Sequence, residues 1–153
     1  MTGKELSKAA RDAFIQYGNQ TIPKVKGKSG IEGMDCGGFL IYCYRQCGET
    51  LKMKGTNDMF RRPSKWSGTI ETARREHQTK DGSLAFIVKN DGGEKTVGYY
   101  DGKGNSVCVG IVSENAIIYY SGDNKKICKV RLPSSIHKDW WSHIVNVCGV
   151  EYA

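Results

Sequence analysis

The stretch Gly33-Met34-Asp35-Cys36-Gly37-Gly38-Phe39-Leu40-Ile41-Tyr42-Cys43-Tyr44-Arg45-Gln46-Cys47-Gly48 decides the fold. A cysteine follows a glycine-bearing loop and an aspartate at the point where a helix should begin. Asp35 is a residue type that caps helices, and Gly48 is a plausible stop, so a helix is predicted from Asp35 or Cys36 to Gly48. Free backbone N–H groups and the positive end of the helix dipole stabilise a thiolate placed there. Gly37 and Gly38 would keep the first turn open for a substrate backbone to reach the sulfur. Cys43 and Cys47 fall on the face shared with Cys36, beside Phe39 and Leu40, and read as small buried hydrophobes.

Outward from this helix, the two halves of the chain differ. Thr2-Gly-Lys-Glu5 has capping-box spacing, and Leu6, Ala10, Ala13, Phe14 and Tyr17 recur at helical spacing. An amphipathic helix is predicted from about residue 3 to Tyr17. Residues 18–34 read as loop and residues 49–68 as irregular. A short helix is predicted over about Thr69–His77. The second half holds β-branched and aromatic runs at Leu84–Val88, Val107–Ser113, Ala116–Tyr120, Ile127–Leu132 and His143–Val147. The clusters Asp91-Gly-Gly93 and Asp101-Gly-Lys-Gly-Asn105 separate the first two. Helices first and strands later make an α+β pattern, with an antiparallel sheet of about five strands and one domain over residues 1–153.

The 153 residues carry a net charge of +7, which points toward an anionic partner such as a wall polymer, lipid or nucleic acid. The positive charges are scattered, with one small cluster at Lys24, Lys26 and Lys28. No basic helix stripe, aromatic platform or phosphate loop supports nucleic-acid binding. No apolar run approaches the roughly 18 residues of a membrane span, so membrane insertion is not expected. The polar start Met1–Lys8 has no apolar core of a secretory signal. The expectation is synthesis in the cytoplasm, with any wall target reached by release or by fusion to an export or phage module. None of the six cysteines forms a C-x-x-C pair, so zinc-ribbon and thioredoxin-type motifs are not read.

Residues 33–48 resemble the cysteine-bearing helix of the NlpC family of papain-like cell-wall peptidases. The usual motif there is D-C-S-G-F/L followed by an apolar helix ending Y-R-x-x-G. Here it reads Asp35-Cys36-Gly37-Gly38-Phe39, then Tyr44-Arg45-Gln46-Cys47-Gly48. Gly55-Thr-Asn-Asp-Met-Phe-Arg61 and Trp66-Ser-Gly-Thr-Ile-Glu-Thr-Ala73 are similar to stretches in prophage-borne members from Gram-positive bacteria. The strand Gly82–Val88, the turns at Asp91-Gly-Gly-Glu94 and Gly102-Lys-Gly-Asn105, and Trp141-Ser-His-Ile144 with Gly149-Val150 extend the likeness to about residues 22–152. The resemblance implies a papain-like fold, a cysteine nucleophile at Cys36, a histidine base on the first long strand and a third polar residue on the next. It implies cleavage of peptidoglycan stem peptides, often between D-glutamate and the diamino acid, by a monomer without metal or other cofactor. Asp35, Gly37, Gly38 and Lys24 fall where the resemblance places substrate contacts.

The family strand H-V-G-I reads Cys108-Val109-Gly110-Ile111 here, so cysteine stands at the position of the base. The third position falls at Tyr119 or Tyr120. Catalysis weakened or lost is therefore the leading expectation. A second is a hydrolase rewired around His143; the remaining histidines, His77 and His137, read as exposed. A third is a non-catalytic binder of cell-wall glycopeptide, or a redox-regulated protein, using the same groove. Cys108 has three readings. It could join Cys36 in a disulfide, although Cα atoms spaced for an imidazole can exceed the roughly 7 Å limit. It could contribute to a soft-metal site, for which only two thiols are evident and Tyr119 is a poor third ligand. Or it fills space in a substituted site.

Overall fold

The computed structural model describes residues 1–89, 101–134 and 140–153. The expected break at Asp91–Gly93, the Asp91–Glu94 match and His137 lie outside the described residues. Helix α1 spans Gly3–Tyr17 and opens with the anticipated capping box. The Glu5 backbone N–H donates to Thr2 Oγ1 at 3.1 Å, and the Thr2 N–H donates to Glu5 Oε2 at 3.1 Å. A two-residue hairpin follows, β1 (Ser29–Gly30) with β2 (Gly33–Met34), inside the segment read as loop. Helix α2 spans Cys36–Gln46 with Asp35 as its N-cap, and Gly48 beyond its end takes a φ of 78° that favours glycine.

The stretch 49–68, expected to be irregular, contains two elements: helix α3 (Thr56–Phe60) and strand β3 (Ser64–Thr69). Strand β3 reads Ser-Lys-Trp-Ser-Gly-Thr, has no apolar run, and is held by backbone pairing to a single neighbour at the sheet edge. Its signal is therefore absent from hydrophobic patterning. Helix α4 (Ile70–Arg75) is capped by Thr69, whose Oγ1 accepts from the Thr72 N–H at 3.2 Å. The remaining strands are β4 (Leu84–Lys89), β5 (Asn105–Ser113), β6 (Ala116–Ser121), β7 (Lys126–Arg131) and β8 (Trp141–Val147).

The main sheet is antiparallel, in the order β3-β8-β4-β5-β6-β7. Among the described residues it has six strands where the sequence suggested about five, the extra one being β3. Alternation along the strands divides the core in two. Phe86, Val109, Ile111, Ile118, Tyr120 and Val145 pack with Leu6, Ala10, Ala13, Phe39, Leu40 and Cys43 of α1 and α2. Ala85, Val112, Ile117, Trp141 and Ile144 pack with Ile70 and Ala73 of α4. Fully burying side chains such as Phe39 and Leu40 stabilises by about 1.5–3 kcal/mol each, which anchors α2 and hence Cys36 on the sheet.

Candidate active site

The register of β5 explains why there is a groove. Along β4, β5 is paired from Lys89↔Asn105 to Leu84↔Ile111. Along β6 the ladder covers only Ile111↔Ile118 to Ser113↔Ala116. The two strands therefore fork beyond Ile111, and the N-terminus of α2 enters the fork. The Val109 N–H, turned toward the side that β6 leaves open, donates to Cys36 Sγ at 3.2 Å. The resulting cleft has a volume of about 640 Å³.

Cys36 and Cys108 are joined by a disulfide across a sequence separation of 72, with their Cα atoms 5.8 Å apart. That spacing lies inside the ordinary disulfide range. The concern that the positions stand too far apart is thus removed: β5 carries its backbone directly beneath the helix terminus. Cys43, Cys47, Cys128 and Cys148 are free thiols, Cys43 fully buried and its thiol pushed well up by that burial. Among the described residues no group of three or more His, Cys, Asp or Glu side chains gathers as a metal site.

Asp35, Gly37, Gly38, Lys24 and Tyr119 all line the cleft with the cysteine pair. Their geometry refines what each can do. Asp35 Oδ1 accepts from the Gly38 N–H at 2.6 Å and Oδ2 from the Gly27 N–H at 2.7 Å, so the carboxylate ties the lysine-bearing loop to the helix start. Gly38 is buried, and a Cβ there would collide with the Lys28 carbonyl oxygen. The open turn expected at Gly38 is filled by the chain itself. Gly37 faces the flexible end of Met53 instead. Tyr119 packs edge-on against Trp141 with ring centroids 5.0 Å apart, and burial raises its phenol pKa, so it is no base at neutral pH. The neighbouring Tyr120 is buried and donates its hydroxyl to the Ile22 carbonyl at 2.6 Å.

No histidine is among the described residues lining the cleft. His143 sits beside Phe60, ring centroids 5.6 Å apart, with Nδ1 2.8 Å from Ser142 Oγ; burial lowers its pKa. His77 lines a different cavity, of about 670 Å³, with Lys4, Arg74, Lys80 and Arg131. The rewired base at His143 is therefore not supported by placement.

One wall of the cleft comes from residues to which sequence reasoning gave no role at the site. Met53, Lys54, Gly55 and Thr56 border it, and Lys89 and Trp140 lie at its rim. This wall is bound to β5 through Thr56 Oγ1 donating to the Ser106 carbonyl at 3.1 Å and Asn57 Nδ2 donating to Asn105 Oδ1 at 2.7 Å. Arg61 at the end of α3 reaches Asp101 by two hydrogen bonds, at 2.8 and 3.0 Å, and holds that carboxyl down to about 2. The Gly55–Arg61 motif is thus the brace of the groove wall. Lys54 and Lys89 carry no pattern that would mark them in sequence, since only the fold brings them to Lys24 and Lys26.

Three solved structures are similar to this chain in fold. Two NlpC proteins of Trichomonas vaginalis match with TM-scores of 0.62, at 15% and 13% identity, over 98% and 95% of this chain. The P60 domain of an M. avium subspecies paratuberculosis antigen matches with a TM-score of 0.55 at 16% identity, over 95% of this chain and 96% of that domain. The fold is that of the NlpC/P60 domains. This chain spans only 47% and 43% of the two Trichomonas proteins. No protein-family model matches the sequence, and no curated protein matches it. Within this fold Cys36 stands at the start of α2, against Val109 of β5.

Proposed function

We propose that this chain is a peptidoglycan-hydrolase-type domain of the NlpC kind whose groove receives stem peptides and whose hydrolytic chemistry is weakened or lost. The observation that carries the reading is the bond from Cys36 to Cys108 in a cleft where no described residue is a histidine. Cys108 stands where the family motif places its base. Hydrolysis would require a free Cys36 thiolate to attack the carbonyl and a partner to return a proton to the leaving amine. The disulfide withdraws the nucleophile. Reduction restores it, but an ordinary thiol near pKa 8.5 is a poor proton shuttle at neutral pH. Loss of one member of such a catalytic unit typically costs on the order of 10⁴-fold or more in rate.

Binding does not need the base. Lys24, Lys26, Lys54 and Lys89 border the cleft against Asp35 and Asp123, a balance suited to a peptide with free carboxylates. The test is muropeptide release from purified peptidoglycan by the oxidised and reduced protein, Cys36→Ala and Cys108→His. Silence from the native chain in both redox states, with activity gained by reduced Cys108→His, is expected. Release by the reduced native chain that Cys36→Ala abolishes would overturn the loss of catalysis.

A further inference from the structure

We propose that Cys36 and Cys108 are a redox-active pair that exchanges its disulfide with anionic thiols entering the groove. This is an activity separate from hydrolysis and does not rest on it.

Three observations converge. First, both sulfurs belong to residues lining an open cleft of about 640 Å³, so the bond is placed where a solute can approach it. A disulfide serving only as a staple has no need of a groove. Second, the two sulfurs are unequal. Cys36 sits at the N-terminus of the 11-residue α2 and receives the Val109 N–H at 3.2 Å, both of which stabilise a thiolate and outweigh the Val109 carbonyl oxygen 3.4 Å from the same sulfur; Cys108, in mid-strand, meets that carbonyl at 3.9 Å. The better-stabilised thiolate is the better leaving group in exchange. Third, the chain keeps its other described cysteines as free thiols, so this bond is a selective feature and not part of a general disulfide framework.

The chemistry follows from the asymmetry. An incoming thiolate attacks Cys108 Sγ. The S–S bond breaks, its electron pair leaves on Cys36 Sγ, and a mixed disulfide remains on Cys108. A second thiolate then attacks the sulfur of the bound molecule and releases Cys108; the Cys36 and Cys108 thiolates take up, through water, the two protons lost by the incoming thiols. In sum, two thiols become one external disulfide and the protein disulfide becomes two thiols. The class of thiol is set by the rim, where Lys24, Lys26, Lys54 and Lys89 face Asp35 and Asp123, and Asp35 is already engaged by two backbone N–H groups.

The experiment incubates the oxidised native protein with a single-cysteine peptide flanked by glutamates, and separately with its lysine-flanked counterpart. Aliquots are quenched with an alkylating agent and Cys36 and Cys108 are mapped by mass spectrometry. The acidic peptide should open the bond roughly 10-fold faster at low salt, with the gap shrinking near about 0.5 M salt. The mixed disulfide should be trapped on Cys108 while Cys36 is alkylated, the far-ultraviolet circular dichroism should not change, and Cys148→Ser should behave as native. Lys54→Glu should narrow the gap between the peptides. Opening only at the rate of global unfolding, accelerated by urea, would show a buried staple and overturn the proposal. Equal rates for the two peptides would overturn its anionic selectivity, and trapping on Cys36 would overturn the direction of attack.

Discussion

Breaking the Cys36–Cys108 bond should destabilise the chain by an amount that its topology sets. The bond spans a sequence separation of 72, and closing a loop of that length removes entropy from the unfolded chain worth about 4 kcal/mol at 25 °C in the chain-entropy treatment. Removal of native disulfides typically costs about 2–5 kcal/mol, so the structure places this one toward the upper part of that range. For a chain of 153 residues, 1 kcal/mol corresponds to roughly 3 °C, giving a fall in Tm of about 12 °C. The assay is paired thermal and urea unfolding of the oxidised native protein, the same protein in reductant, and Cys36→Ala/Cys108→Ala. Reduction should also raise the urea m-value, because the unbridged denatured chain exposes more surface. The double variant should resemble the reduced native protein. If Tm moves by less than about 2 °C and m stays constant, the loop-closure reasoning is wrong, whatever the fate of the exchange proposal.

Two further predictions test the local geometry of the site. Gly38→Ala should destabilise by about 2 kcal/mol despite the better helix propensity of alanine, because its Cβ meets the Lys28 backbone carbonyl; Gly37→Ala, whose Cβ meets only the movable end of Met53, should be close to neutral. Equal urea midpoints for the two variants would refute that assignment. The second concerns His143, whose pKa burial depresses in the folded state. Below the unfolded value near 6.5 the unfolded chain then binds more protons than the folded one, so stability is fully present above that pH and is lost as pH falls toward the depressed folded value. His143→Gln should flatten the stability profile below about pH 6.5, and an unchanged slope there would count against the burial argument.

Much of this architecture is legible in the residues because local and tertiary signals agree. Thr2 and Glu5 mark the start of α1 in sequence and form its capping box in the fold. The apolar strands β4 to β8 announce themselves by composition. Strand β3 does not, because its six residues are held by backbone pairing at an edge. Helix α3 is too short to show a period, and its purpose lies in Asn57 and Arg61, whose partners Asn105 and Asp101 are 48 and 40 residues away. Cys36 is legible as a helix-terminal cysteine, and Cys108 as a cysteine at an unusual place in a strand. Their bond was one of three readings, because sequence cannot give the separation of two Cα atoms. Lys54 and Lys89, which join Lys24 and Lys26 at the cleft, escape notice for the same reason.

The capacity to staple and the capacity to exchange do not compete in this structure, because they arise from different states. The stabilisation of a bridged loop comes mainly from restricting the unfolded chain, whereas the ease of exchange depends on access to the sulfurs and on the leaving thiolate in the folded one. The fork between β5 and β6 controls the second set of terms. Had the β5–β6 ladder continued past Ile111↔Ile118, Val109 would pair with the neighbouring strand, the cleft would close, and Cys36 would lose the N–H that supports its thiolate. The divergence of β5 from β6 therefore both opens the cleft to the disulfide and supplies the N–H that distinguishes Cys36 from Cys108.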